Sequence, residues 1–200
     1  IVGITISLLI IIGGIGFLVW ADIKKWKWHF KYYRLHSKVV LTASLILVLL
    51  GTILILIFEW GKPSMEGKNL GEQILSAFFQ SVTPGTAGFN TMDLNQLTDS
   101  SQMLMICFMF IGGSPGSTAG GIKTTTMMIL ILTIWTEFRK RKDVEFFKRR
   151  VENETIRHAS CILILYGILS IGCAMLISTI EGLGMKEVLF EVVSDRKSVV

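Results

Sequence analysis

Long uncharged apolar runs constrain this chain more than any other feature. Residues 1–20, 39–58 and 100–122 contain no Asp, Glu, Lys or Arg. Uncharged runs of about 18 residues or more are typical of membrane-spanning helices. Hydrophobic residues make up 51% of the chain and charged residues only 18%. The chain is therefore predicted to be an all-α membrane protein. The composition excludes a soluble enzyme, a disordered chain and a disulfide scaffold.

Four apolar segments are predicted to cross the membrane, at 1–20, 39–60, 101–135 and 158–180. Twenty helical residues rise about 30 Å, the thickness of the hydrocarbon core. The third segment, with 35 residues, is too long for one straight span. Its centre, 112–121, reads GGSPGSTAGG. Because glycine and proline cost about 1 and 3 kcal/mol in a helix interior, the third span is predicted to be a broken helix.

Basic residues are concentrated in alternate loops. Residues 21–38 hold six and 136–157 hold eight, whereas 61–100 and 181–187 together hold three. Since cytoplasmic loops are enriched in Lys and Arg, 21–38 and 137–157 are predicted to be cytoplasmic loops of a multi-pass protein in the cytoplasmic membrane. This distribution accounts for the net charge of +5 without nucleic acid. A role of some of these residues in binding anionic lipid or a partner is an alternative.

A short apolar segment follows the second span. Residues 73–82 form a predicted helix of about 15 Å, half a membrane thickness, and 83–91 read TPGTAGFNT. A half-helix followed by a Gly- and Thr-rich strand is typical of a re-entrant pore loop, because non-helical backbone at membrane depth must be buried or line an aqueous cavity. Extended carbonyls there can replace the hydration shell of a cation. A surface helix that ends in an external loop is the alternative.

The pattern recurs after a shift of 111 residues. FQSVT at 79–83 then aligns with FEVVS at 190–194. The repeat predicts a unit of span, half-helix with loop, and span, with a second half-helix at 185–194. The shift also requires a glycine at 199, where Val199 stands. Residues 195–200 are therefore expected to be a foreign tail or a degenerate loop, and the chain is expected to be a fragment of a longer protein.

Five strings carry a family resemblance: IIGGIGFLVWADI, LHSKVVLT, FFQSVTPGTAGFNTMDL, FIGGSPGSTAGGIKTTT and FEVVS. In order and spacing the chain resembles the membrane subunit of the Ktr/Trk/HKT potassium-transport superfamily, of the bacterial KtrB/TrkH type. The resemblance implies repeated span–pore-loop–span units around a pseudo-fourfold cation pore. Residues 1–20 would be the last span of repeat two, 39–136 repeat three, and 158–194 the start of repeat four.

The resemblance also implies site residues. The filter stretch would be Thr86, Ala87, Gly88 and Phe89, with potassium held by the backbone of the first three. The loop that gates permeation would comprise Gly112, Gly113, Ser114, Pro115, Gly116, Ser117, Thr118, Ala119, Gly120 and Gly121, with Lys123 as a positive barrier. In the family an arginine usually stands where this chain has Gly85. That difference leaves open a less rigid filter or a divergent member.

The implied function is potassium uptake through a gated filter, without enzymatic activity or a cofactor in this chain. Membrane lipid, a second copy of the membrane subunit and a cytosolic nucleotide-binding regulatory subunit are the implied partners. Three alternatives are a sodium-permeable or sodium-coupled transporter of the same superfamily, an unrelated carrier with a broken-helix substrate site, and a membrane scaffold without a pore. The TAGF string directly after a half-helix favours the potassium pathway over the carrier.

Overall fold

Helices account for most of the part of the chain that the structure, a computed structural model, describes: residues 2–27, 29–85, 96–117, 120–140, 144–146 and 149–198. The helices are α1 Val2–Ile15, α2 Phe17–Trp26, α3 Leu35–Glu59, α4 Leu70–Val82, α5 Asp99–Phe110, α6 Thr124–Phe138, α7 Asn153–Glu181 and α8 Met185–Ser198. Short 3-10 turns lie at Phe30–Tyr32, Pro63–Met65 and Thr83–Gly85. The prediction of an all-α fold is confirmed.

Two helices, α3 and α7, are long and apolar enough to cross a membrane on their own, and α1 with α2 makes a third if that bent pair is one span. With 25 and 29 residues, α3 and α7 are about 37 and 44 Å long. Large apolar side chains on both are exposed, among them Leu45, Ile57 and Ile164. An exposed apolar surface of this extent is expected for helices that contact lipid or further membrane helices.

The first span is not the straight helix predicted for 1–20. The helix ends at Ile15 and resumes at Phe17, and the axes of α1 and α2 differ by 92°. Gly16 at the corner has φ +84°, a left-handed conformation that glycine adopts without the steric penalty of a Cβ. The fold class predicted one broken helix, and the described part of the chain contains two.

The third predicted span is interrupted where the glycines indicated. Helix α5 ends at Phe110 and α6 begins at Thr124, so the break covers 111–123 rather than the predicted 112–121. Each arm is too short to cross a bilayer alone, at about 18 and 22 Å. The broken-helix prediction is confirmed.

The core lies where α3, α4, α5 and α8 meet. Its buried residues include Ile55, Ala77, Met105 and Val193, one from each of these helices. A second buried cluster, Ala174 with Val188 and Val192, joins α7 to α8. The two half-helices α4 and α8 therefore both pack around α5.

Two elements differ from the sequence prediction. Helix α8 continues through Ser198, beyond the predicted end at 194. In the basic segment before α7, β1 Glu145–Phe146 pairs antiparallel with β2 Arg149–Arg150, with Glu145 opposite Arg150. This ribbon has no counterpart in the prediction, because two-residue strands carry no periodic signal.

Candidate functional site

Helix α4 is a half-helix with a buried C-terminal end. It spans 13 residues, about 20 Å, and its first turn is capped by Glu72, whose carboxylate accepts the Asn69 N–H at 3.2 Å. Pro84, which cannot continue an α-helix, lies two residues after its end. Thr83 and Pro84 are buried in the 3-10 turn that follows, where the chain packs against α1 and α5. The half-helix therefore ends inside the helical assembly.

The predicted filter residues Thr86, Ala87, Gly88 and Phe89 lie outside the described residues. The residue before them, Gly85, is described. A Cβ built on Gly85 would lie 3.7 Å from a methyl carbon of Ile10, which is an ordinary van der Waals distance. The backbone at 85 thus has room to begin a side chain, and steric crowding at the Cβ does not explain why this chain has glycine where the family usually has arginine.

The loop between α5 and α6, residues 111–123, is closed at its base by main-chain hydrogen bonds. The N–H of Gly112 donates to the carbonyl of Ile122 at 2.7 Å, and the N–H of Ile122 donates to that of Phe110 at 3.1 Å. The two arms approach so closely that a Cβ on Gly112 would overlap the carbonyl oxygen of Gly120. This pairing satisfies backbone groups that a helix break would otherwise leave open at membrane depth.

The same loop fits into the break between α1 and α2. The N–H of Ser114 donates to the carbonyl of Gly14 at 3.1 Å, and the Ser114 hydroxyl lies within hydrogen-bond distance of the carbonyls of Gly14 (2.9 Å) and Ile15. In return, the N–H of Phe17 donates to the carbonyl of Gly116 at 3.2 Å. At the glycines of the IGGIGF string, the backbone between α1 and α2 is thus hydrogen-bonded to the backbone of the loop 111–123.

Of the predicted gating-loop residues, Thr118 and Ala119 lie outside the described part of the chain, and the rest are in the loop. Lys123 is half-buried and is the N-cap residue of α6. The loop, the end of α4 and the break in α1 lie around one cavity of about 90 Å³. Its lining includes Ser44, Ser81, Gly85, Gly113 and Thr124. The hydroxyl of Thr124 is buried and has no hydrogen-bond partner among the described residues.

A buried carboxylate lies where α3 ends and α5 begins. Glu59, the last residue of α3, is 0% exposed. It accepts hydrogen bonds from the Ser64 hydroxyl at 2.5 Å and from the N–H and hydroxyl of Thr98 at 2.9 and 2.7 Å. Thr98 also caps α5 through the N–H of Ser101. The carboxylate therefore joins the end of α3 to the start of α5.

A second buried carboxylate joins α2 to α3. Asp22 accepts hydrogen bonds from the Ser37 hydroxyl at 2.6 Å and from the N–H of Arg34 at 3.2 Å, and the Arg34 guanidinium lies 3.7 Å away. Its negative charge at the N-terminus of α3 is favoured by the helix dipole. Sequence reasoning missed both carboxylates. The signal available was their position beside an apolar run, with hydroxyl residues nearby in sequence.

Fold and site together define a helical membrane protein that carries a buried half-helix and an interrupted span. The chain belongs to the TrkH family, described as "Cation transport protein", whose pattern matches residues 1–197. That match extends past residue 194 into the segment 195–200, for which a foreign tail or a degenerate loop was expected.

Two relatives show the same kinship. The chain is 36% identical over 195 residues to Ktr system potassium uptake protein B of Vibrio alginolyticus, covering 96% of this chain and 43% of that protein. It is also 36% identical over 193 residues to potassium/sodium uptake protein NtpJ of Enterococcus hirae, covering 94% of this chain and 43% of that protein. The chain thus spans less than half the length of these relatives.

A solved structure shares the fold. The crystal structure of the potassium transporter TrkH from Vibrio parahaemolyticus superposes with a TM-score of 0.68 at 19% sequence identity. The superposition covers 86% of this chain and 38% of that one. The fold predicted from the pore-loop and broken-helix strings is confirmed by this likeness.

Proposed function

We propose that residues 39–136 form one pore-loop unit of a potassium uptake pathway. The filter is the backbone of Thr86, Ala87, Gly88 and Phe89, and the loop at 112–121 is its gate. The observation that supports this most is the end of α4, where Thr83 and Pro84 are buried beside the interrupted span. A helix that stops there directs its negative dipole end toward the interior, which favours a cation.

Potassium enters as the transported substrate and loses its water to carbonyl oxygens of the filter. Two observations favour potassium as the transported ion. The chain belongs to a cation-transport family, and the Vibrio alginolyticus relative is named for potassium uptake. The Enterococcus hirae relative is named for both potassium and sodium, so a pathway that admits sodium is the second candidate. Family membership argues against the unrelated carrier.

The gate is the loop at 112–121, closed at its base by the bonds of Gly112 and Ile122. Lys123 adds a positive charge after the loop, where it repels a cation in the pathway. The dipole of a helix disfavours a positive charge at its N-terminus. The charge of Lys123, the N-cap residue of α6, therefore does not stabilise that helix. A barrier to ion leak is a function that accounts for a lysine in this position.

We infer the wider assembly from the family resemblance. Two copies of the complete membrane subunit pair, and a cytosolic nucleotide-binding subunit acts on the gate. The name "Ktr system" printed for the Vibrio alginolyticus relative supports a transporter of several components. The basic segments 21–38 and 137–157 face the cytoplasm and the filter loop faces outward, in agreement with the distribution of Lys and Arg.

Flux through the complete transporter tests this function. The full-length protein that contains this sequence would be reconstituted in liposomes with its cytosolic subunit, and uptake of rubidium would be measured against empty liposomes. We expect uptake that saturates with external ion and that potassium competes for. Absence of rubidium and potassium uptake with every subunit present would overturn the proposal.

The filter has its own test. Gly88→Ser adds a side chain beside the ion and should lower the potassium-to-sodium permeability ratio about tenfold, a difference of ~1.4 kcal/mol. Gly184→Ser is the matched control, because a Cβ at Gly184 meets its neighbours at 3.8 Å without strain. Equal permeability ratios in wild type and Gly88→Ser would remove the filter assignment.

The gating role of the loop 112–121 has a separate test. Deleting 113–120 should raise the rate of uptake, because the obstruction is removed. Gly112→Ala serves as a milder variant, since its Cβ would collide with the Gly120 carbonyl and force the loop to move. Gly13→Ala is the control, with nothing within 4 Å of the added carbon. Unchanged uptake in both loop variants would contradict the gating role.

A further inference from the structure

The two helix breaks of this chain meet each other, and the contact has a consequence for gating. Ser114 directs its N–H and its hydroxyl out of its own loop, to carbonyls of Gly14 and Ile15 in α1. These carbonyls precede the corner at Gly16, where the α-helical hydrogen bonding of α1 stops. Within a membrane, carbonyls of this kind have no water to replace a lost partner.

Shape complementarity reinforces the hydrogen bonds. A Cβ on Gly16 would lie 2.6 Å from the Ser114 hydroxyl and 3.1 Å from the Pro115 carbonyl oxygen. A Cβ on Gly116 would lie 2.9 Å from the ring of Phe17. Both glycines have positive φ angles, +84° and +80°. The corner and the loop are therefore matched surfaces, and neither tolerates an added side chain.

Helix α2 connects this contact to the cytoplasmic side. Its first residue, Phe17, donates to the loop at Gly116, and Asp22 in its middle is bonded to the N-terminus of α3. At its other end lie Lys24 and Lys25, in the basic segment predicted to be cytoplasmic. A displacement of α2 thus pulls directly on the backbone of the loop.

We propose that Ser114 is a positioning residue that fastens the gating loop to the corner between α1 and α2, so that movement of α2 releases the loop. The inference rests on the proposed function. It adds that a cytoplasmic stimulus reaches the gate through the neighbouring helix pair α1–α2 as well as through the arms of the loop. Two adjacent segments with discrete hydrogen-bonded contacts form an element whose equilibrium either side can bias.

Ser114→Ala in the full-length transporter tests the contact. Without the hydroxyl, we expect the rate of rubidium uptake by the unstimulated transporter to rise about tenfold, the effect of losing one or two hydrogen bonds to half-buried carbonyls. The external concentration that gives half-maximal uptake should stay unchanged, because the filter is untouched. Thr133→Ala is the control, since that hydroxyl bonds the Ile129 carbonyl within α6.

Gly16→Ala provides a second variant that acts from the other side of the contact. It should also raise unstimulated uptake. In the double variant, the increase should be smaller than the product of the increases in the two single variants. Effects that multiply would mean that the two residues act independently and would overturn the proposal. Unstimulated uptake equal to wild type in Ser114→Ala would overturn it as well.

Hydrogen exchange separates this inference from the proposed function. In Ser114→Ala, peptides that contain the Phe17 amide should exchange faster than in wild type, whereas α7 peptides should not change. Unaltered exchange at Phe17 would refute the link between loop and α2, even if uptake rose. Absence of uptake in wild type with its cytosolic subunit would instead refute the proposed function.

Discussion

A single carboxylate joins the two ends of the segment between α3 and α5. Glu59 has no exposed surface, and it accepts hydrogen bonds from Ser64, Thr98 and Ser101. These are hydroxyl and amide donors that solvate a charge without neutralising it. Because the segment from 60 to 97 begins and ends at this carboxylate, the side chain holds together both ends of the region in which the filter is predicted.

Glu59→Ala is expected to lower the free energy of unfolding by about 3 kcal/mol, because it leaves the buried Ser64 hydroxyl and the half-buried N–H and hydroxyl of Thr98 without their acceptor. The measurement is thermal or denaturant unfolding of the purified full-length protein in detergent. Glu66→Ala is the matched control, an exposed glutamate in the same external segment. A cost below about 1 kcal/mol for Glu59→Ala would show that the buried carboxylate is not structural.

At the level of single residues, the sequence was informative only where a residue type implies a conformation. The glycines and the proline of 112–121 indicated a break, and a break is found there. Ser114 was included in the gating loop by resemblance. Its role at the corner could not be derived, because its hydrogen-bond acceptors lie 99 and 100 positions earlier in the chain.

Close packing of helices depends on Gly51. It lies in α3 where that helix approaches α4 and α5, and a Cβ there would overlap the ring of Phe108 and lie 2.9 Å from the Cβ of Ser81. Beside this contact, the hydroxyls of Thr52 and Ser81 are hydrogen-bonded at 3.0 Å. Small residues with interhelical hydrogen bonds are the usual means of helix association in membranes.

Gly51→Ala should therefore lower the free energy of unfolding, by about 1–3 kcal/mol, through overpacking between three helices. Gly167→Ala in α7 is the control, because nothing lies within 4 Å of the carbon it adds. That control should be neutral or raise stability by up to about 1 kcal/mol, the difference in helix propensity. The two variants would be compared by unfolding in detergent. Similar effects would mean that Gly51 does not set the approach of α3.

At the level of elements, helices with a strong apolar pattern were predicted to within a few residues. The spans predicted at 39–60 and 158–180 correspond to Leu35–Glu59 and Asn153–Glu181. The corner at Gly16 was not predicted, since glycines within an apolar run are frequent in membrane helices and do not by themselves indicate a break. The corner contacts the loop of a segment about 100 residues away, and local sequence does not reveal such a contact.

For the molecule as a whole, the distribution of Lys and Arg predicts which loops face the cytoplasm. Labelling of single cysteines by a membrane-impermeant maleimide would check it, after Cys107, Cys161 and Cys173 have been replaced. In intact cells, Glu66→Cys should react and Lys31→Cys should not, although both side chains are exposed. Reaction of Lys31→Cys from outside would reverse the predicted orientation.

The filter at Thr86 to Phe89 remains a prediction from the sequence and the family. What the structure adds is its setting: a half-helix that ends in a buried turn, a cavity beside it and a closed loop near by. The chain covers 43% of the two relatives compared, and a pore that several repeats share requires segments beyond these. The identity of the permeating ion is accordingly a property of the complete protein.

The meeting of two helix breaks bears on how such a chain can be recombined. A chimera that took residues 101–135 from a relative but kept residues 1–20 of this chain would bring a foreign loop to the corner at Gly16. Its backbone would have to offer a donor to Gly14 and an acceptor to Phe17 in the same register. The two segments therefore have to be exchanged together. A chimera that takes both from the same relative should fold, whereas a chimera that takes only one of them should not.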